Sequence, residues 1–205
     1  MKISDIRKYD SEKMYEAYEK WPEIAQESYK KDLAKMQFKN VDHIVFAGVG
    51  GSGTIGDVIS SILSKTNIHV NVVKGYLLPK TVGPNTLIVT TSVSGNSKEA
   101  LSILQNARKS KSKFLAFSSG GKMKKFSRKN NIPYVEIPEI HSPRVSFSCY
   151  LYSMLNVLED VISVKKQDVK ESISLLTETQ KKISSTNLTN SNPALSLAKW
   201  ISGFP

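Results

Sequence analysis

Two clusters of serine and glycine hold the side chains best suited to chemistry: Gly48-Val49-Gly50-Gly51-Ser52-Gly53-Thr54 and Ser92-Val93-Ser94-Gly95-Asn96-Ser97. Each follows a short apolar run, residues 43–47 or 87–91, and each opens a stretch of helical pattern. The runs read as buried strands because they are short, β-branched and bounded by turn residues. A helix N-terminus leaves backbone N–H groups unpaired and carries roughly half a positive charge. Glycines that let the chain approach closely, with serine hydroxyls beside them, therefore make a cradle for a phosphate.

The elements that position these turns alternate from Val41 onward. A strand ends at Ala47, a helix runs over 54–65 and a strand over 70–74, followed by a loop with Pro79, Gly83 and Pro84. Then come a strand over 86–91, a helix over 97–108, a strand over 113–118, a basic helix over 121–129 and a strand over 134–137. This pattern predicts an α/β fold, a doubly wound five-stranded parallel sheet flanked by helices. In the flavodoxin-like order 2-1-3-4-5 the ligand crevice lies where strand order reverses, between the first and third strands. Those are the two strands that carry the serine-glycine turns.

The ends of the chain read as helical. Tyr9, Met14, Tyr15, Tyr18, Trp21, Ile24, Leu33 and Met36 recur at mostly helical spacing, and Trp21-Pro22 divides them into two expected helices. Residues 145–162 are apolar enough to be largely buried, and 168–184 set Val169, Ile173, Leu176 and Ile183 on one side with lysines opposite. After a polar break at 187–192, Pro193 begins a short helix that Gly203 would end, and the stop at Pro205 reads as a domain boundary. The expected organisation is a helical segment over 1–40 packing on the domain, a phosphate-binding domain over 41–163, and a helical connection over 164–205.

Composition excludes several classes. With 205 residues there is room for one full domain and appendages. The N-terminus has no signal-like apolar stretch, and no run approaches the ~18 apolar residues of a membrane span, so a cytoplasmic protein without membrane partner is expected. The single cysteine, Cys149, lies in an apolar stretch and reads as a buried hydrophobe. The net charge of +11 invites nucleic acid, but the basic segment around Lys122, Lys124, Lys125, Arg128 and Lys129 lacks a recognisable reading module. No nucleic-acid partner is expected; a positive surface also draws in anionic metabolites.

Gly48-x-Gly50-x-x-Gly53 matches the dinucleotide fingerprint, yet the second strand ends at Lys74-Gly75 instead of the acid that binds a ribose. Lys74 leaves NADP open as an alternative, although the second serine loop has no part in it. No Gly-Lys-Ser/Thr completes a P-loop. His43, His69 and His141 show no metal-ligand spacing, and no metal is expected. Asp57 reads as satisfying nearby groups and Glu99 as complementing its helix N-terminus. Tyr150, Leu151, Met154, Leu155 and Leu158 form a helical stripe of core or dimer surface.

With these residues in view, the chain resembles a SIS (sugar isomerase) domain, and more closely the N-terminal half of the archaeal-type bifunctional phosphoglucose/phosphomannose isomerases. The motifs that carry the resemblance are Tyr9-Asp10 with Met14-Tyr15 and Trp21-Pro22, G-V-G-G-S-G with Asp57, S-V-S-G-N-S-K-E-A-L, Ser118-Ser119-Gly120-Gly121-Lys122, and Pro143-Arg144. The pattern departs at Val93, Ser97, Lys98 and Ser142, where the family has an aromatic, a threonine, an acid and a proline.

The resemblance implies that Ser52, Ser92, Ser94 and Ser97 bind the substrate phosphate or adjacent hydroxyls, with Gly50 and Gly51 letting the sugar lie against the backbone. It makes Arg144 the catalytic residue, stabilising negative charge while a base moves a proton between C1 and C2. It implies interconversion of glucose 6-phosphate or mannose 6-phosphate with fructose 6-phosphate, in glycolysis and gluconeogenesis, by a homodimer without cofactor. The catalytic glutamate, ring-opening histidine and a late lysine belong to the family's second SIS domain, so residues 1–205 are expected to bind but not turn over substrate. A stand-alone SIS module that senses a phosphosugar and regulates a partner is the alternative.

Overall fold

The computed structural model describes residues 2–108 and 110–202. Strands β1 (His43–Ala47), β2 (His69–Val73), β3 (Thr86–Thr91), β4 (Lys113–Ser118) and β5 (Tyr134–Glu136) all pair in parallel, in the order β2-β1-β3-β4-β5. This is the expected sheet. Every residue of β1 and β3 is buried, as strands covered on both faces must be. Ala47 stands opposite Val73 on one side and Thr90 on the other, so the carboxyl ends of the three strands form one edge.

The helices are α1 (Ile3–Tyr9), α2 (Met14–Glu19), α3 (Trp21–Lys30), α4 (Gly51–Leu63), α5 (Lys98–Ala107), α6 (Gly121–Lys129), α7 (Phe147–Val157), α8 (Lys166–Ile183) and α9 (Pro193–Ile201). On one face of the sheet, Ile103 and Ala107 of α5 pack against Val45, Ala47 and Ile88, and the β2–β3 connection adds Leu78 and Val82. Ala100 and Leu104 continue this layer to Met123 of α6. On the opposite face, which Phe46 shares by alternation along β1, a Cβ at Gly56 of α4 would stand 2.8 Å from Phe46 Cβ and 3.2 Å from Val72 Cγ1. Only glycine lets this helix come so near the strands.

The described residues divide into two compact units, one over Ser28–Val164 and one combining those of Met1–Glu27 and Lys165–Pro205. The first contains the sheet and α4 to α7. The second contains α1, α2, the start of α3, α8 and α9. It encloses a cavity of about 390 Å³ lined by Tyr15, Tyr18, Trp21, Leu176 and Leu195 among others. Within it the Glu19 carboxylate accepts from the Ser185 amide at 2.5 Å.

Three helices, not two, occupy the N-terminal segment, and Leu33 and Met36 lie outside them in a stretch without regular secondary structure. The expected break falls at Trp21-Pro22, where α2 has ended at Glu19 and α3 begins at Trp21, since a proline in the first turn gives up an N–H that has no helical acceptor. Pro193 likewise starts α9, whose Asn192 side chain caps the Leu195 amide at 3.0 Å. The expected helix end at Gly203 and the chain end at Pro205 lie outside the described residues.

The apolar stretch after Arg144 is buried within the chain: Tyr150, Met154 and Leu158 are at most 1% exposed. Cys149 is buried as expected; burial pushes its thiol pKa up, and the Ser28 hydroxyl donates to its sulfur at 3.4 Å. His43 is a core histidine at the amino end of β1, holding Thr86 Oγ1 at 3.0 Å and Asn71 Oδ1 at 2.8 Å. Among the described residues, no helix is long and apolar enough to cross a membrane.

Candidate anion-binding site

The first serine-glycine loop leaves β1 and turns at once into α4. The Gly48 amide extends the strand ladder to the Val73 carbonyl at 3.0 Å, and a Cβ at Gly48 would lie 2.9 Å from both Thr91 O and Ser52 Cβ. The loop therefore runs against the end of β3. Gly50, with φ of 57° and ψ of −133°, makes the turn and caps the helix, a conformation that L side chains rarely adopt. Helix α4 consequently begins at Gly51, three residues before the start read from the pattern, and Ser52 falls in its first turn. There the backbone amides have no intrahelical acceptor. Ser52 is half-buried, and no hydrogen bond of its hydroxyl is found among the described residues.

The second loop places its three candidate hydroxyls unequally. Ser92 is 4% exposed, and its Oγ accepts from the Ser97 amide at 3.4 Å. Ser94 is exposed and its Oγ accepts from the Asn96 amide at 3.3 Å. Ser97 caps α5 with extended backbone, yet its hydroxyl makes no capping bond and is buried without a partner among the described residues. Gly95, at φ of 67°, closes the turn through its amide to the Ser92 carbonyl at 2.9 Å.

Because β1 and β3 are neighbours and their registers coincide, both loops open at the same sheet edge, where strand order reverses. The segment before α7 joins them: Pro143 O lies 3.7 Å from where a Cβ on Gly51 would be. Ser146 braces this segment, its Oγ accepting from the Ile140 amide at 2.8 Å and donating to the Ser142 carbonyl at 2.8 Å. Arg144 is exposed in that turn, and no hydrogen bond or ion pair of its guanidinium is found among the described residues. The edge thus collects two helix N-termini, the Ser52 and Ser94 hydroxyls and the turn bearing a cation, while the Ser92 hydroxyl is held inside.

Several side chains near this edge have partners that the sequence did not reveal. Lys74 pairs with Asp57 at 2.7 Å, its stem lying over Gly53, so the lysine that NADP would require is tied to a carboxylate. Tyr76 donates to Glu99 at 3.0 Å, a bond that raises the phenol pKa. Tyr150, fully buried, reaches Ile137 O at 2.9 Å and Val93 O at 3.3 Å, and burial raises its pKa so that it remains a donor. The period of α7 shows Tyr150 as core but gives no sign of the carbonyls that meet its hydroxyl.

No protein-family model matches the chain. It is 31% identical over 171 residues to the bifunctional phosphoglucose/phosphomannose isomerase of Caldicellulosiruptor bescii, a match covering 80% of this chain and 50% of that protein. With the protein of the same name from Aquifex aeolicus it shares 33% over 177 residues, covering 84% and 52%. The chain therefore spans about half the length of the curated relatives it matches. Among solved structures, a Clostridium novyi NT chain provisionally named a tagatose-6-phosphate ketose/aldose isomerase superposes with a TM-score of 0.59 at 19% identity, covering 92% of this chain and 52% of that one. The chain is thus a relative of the bifunctional phosphoglucose/phosphomannose isomerases, with the sheet order of a SIS-type phosphosugar isomerase fold.

Proposed function

We propose that this chain is the N-terminal, sugar-phosphate-binding part of an isomerase that interconverts glucose 6-phosphate or mannose 6-phosphate with fructose 6-phosphate. The observation that carries this reading is the opening of two serine-bearing helix N-termini at one sheet edge, on adjacent strands. The similarity to phosphoglucose/phosphomannose isomerases supports the choice of substrate.

In this reading the phosphate sits between the first turns of α4 and α5, taking hydrogen bonds from Ser52 and Ser94 and from free amides. Ser97 offers a buried hydroxyl that has no partner among the described residues, and Ser92 contributes by holding the turn through the Ser97 amide. Gly50 and Gly51 keep the floor low enough for the sugar to lie on the backbone. Binding the phosphate, remote from the reacting carbons, fixes where C1 and C2 lie.

The reaction is a proton shift. A base removes the proton on C2 of the open-chain aldose, negative charge develops on the carbonyl oxygen at C1, the proton of the C2 hydroxyl passes to that oxygen, and the base returns its proton to C1 to give the ketose with its carbonyl at C2. Arg144 is the group proposed to face that oxygen; a guanidinium keeps its charge and donates in a fixed fork. The base and the ring-opening group are assigned to the remaining half of the protein, with a histidine from the partner of a homodimer. No metal or organic cofactor takes part in this scheme, and the protein acts in the cytoplasm.

Ligand-dependent melting tests the assignment. Fructose 6-phosphate raises the melting temperature and NADPH leaves it unchanged; a shift with NADPH alone would overturn the reading.

A further inference from the structure

The motif Ser118-Ser119-Gly120-Gly121-Lys122 has the composition of a third anion loop, since it leaves β4 and opens α6. Its donors, however, are spent inside the protein. The Lys122 amide donates to Asn96 Oδ1 at 3.2 Å and the Met123 amide to the Gly95 carbonyl at 2.9 Å. Ser118 Oγ donates to Gly120 O at 2.9 Å. Ser119 donates twice to the Val93 carbonyl, through its amide at 2.9 Å and its hydroxyl at 2.7 Å, and these two bonds are shorter than the one the same oxygen takes from the Tyr150 hydroxyl at 3.3 Å.

The two turns also interlock sterically. A Cβ at Gly95 would fall 2.0 Å from Gly120 O, and one at Gly121 would fall 2.5 Å from Ser94 O. Both glycines have positive φ, 67° and 64°. Neither can be exchanged for an L residue without moving backbone.

The Val93 carbonyl matters because it shares a peptide plane with the Ser94 amide. In a trans peptide, C=O and N–H point in opposite directions. A carbonyl drawn toward Ser119 therefore aims the Ser94 N–H away from the 118–122 turn, where no hydrogen-bond partner for it is found among the described residues.

We propose that the 118–122 turn is a positioning element for the second serine loop. Ser119 is the positioning residue: it orients the Val93-Ser94 peptide through the Val93 carbonyl and so directs the Ser94 amide and hydroxyl at the sugar phosphate. The proposal rests on the second loop being the sugar-phosphate site, and its test separates the two.

Ser119→Ala removes the hydroxyl donor and keeps the amide; Ser119→Thr keeps both. The readouts are amide hydrogen exchange at Gly95 and Ser97, which needs no ligand, and the dissociation constant for fructose 6-phosphate by calorimetry. Ser119→Ala is expected to speed exchange at both amides and to weaken binding about five-fold, the effect of one ordinary hydrogen bond, with Thr restoring both. Unchanged exchange, unchanged affinity despite faster exchange, or a Thr variant that behaves like Ala would each overturn the positioning role. If the unmodified chain does not bind fructose 6-phosphate, the sugar-phosphate reading is what fails, and exchange alone decides whether Ser119 holds the loop.

Discussion

Ser52 and Ser94 differ from Ser92 in what their hydroxyls face. Ser52 is half-buried with no hydroxyl partner among the described residues and Ser94 is exposed, whereas Ser92 Oγ is buried and accepts from the Ser97 amide. Ser52→Ala and Ser94→Ala are therefore each expected to weaken fructose 6-phosphate binding by about 1–3 kcal/mol, as for lost bonds to a charged group, with little change in unfolding free energy. Ser92→Ala should instead lower stability, by about 1 kcal/mol, because it strips a half-buried amide of its acceptor. Calorimetry and urea unfolding of the three variants separate these roles; equal binding by the Ser52 and Ser94 variants and the unmodified chain would show the site to be misplaced. The serines themselves were legible in the sequence. Their division into exposed and buried was not, because it depends on Phe117 O and Val93 O meeting partners across β3, β4 and the 118–122 turn.

At the scale of elements, helix–sheet contact distance is set by single glycines. Gly56→Ala places a methyl group 2.8 Å from Phe46 Cβ and is expected to destabilise the fold by about 1–3 kcal/mol through forced displacement of α4. Gly75, with nothing within 4 Å of a built Cβ, is the control, and its alanine variant should unfold within about 0.5 kcal/mol of the unmodified chain. Urea denaturation checks both, and equal stability of the two variants would contradict the role given to Gly56. Element types were readable from periodicity, but their ends were less so. Helix α4 starts at Gly51 because Gly50 takes the positive φ of the turn, and α3 starts at Trp21 because a first-turn proline is tolerated. Each boundary turns on backbone geometry that an apolar period does not encode.

For the whole molecule, alternation of apolar runs with helical patterns predicted the parallel, doubly wound sheet, and the observed order β2-β1-β3-β4-β5 is the flavodoxin-like one expected for it. The grouping of Met1–Glu27 with Lys165–Pro205 was not legible, because it joins segments far apart in the chain whose amphipathic faces carry no label for their partners. The central claim concerns one place, the edge where β1 and β3 deliver two helix N-termini. Determining the structure of the chain with fructose 6-phosphate tests it most directly. The phosphate is expected between the first turns of α4 and α5, with its oxygens about 3 Å from the Ser52 and Ser94 hydroxyls; a phosphate bound elsewhere on the chain, with that edge empty, would contradict it.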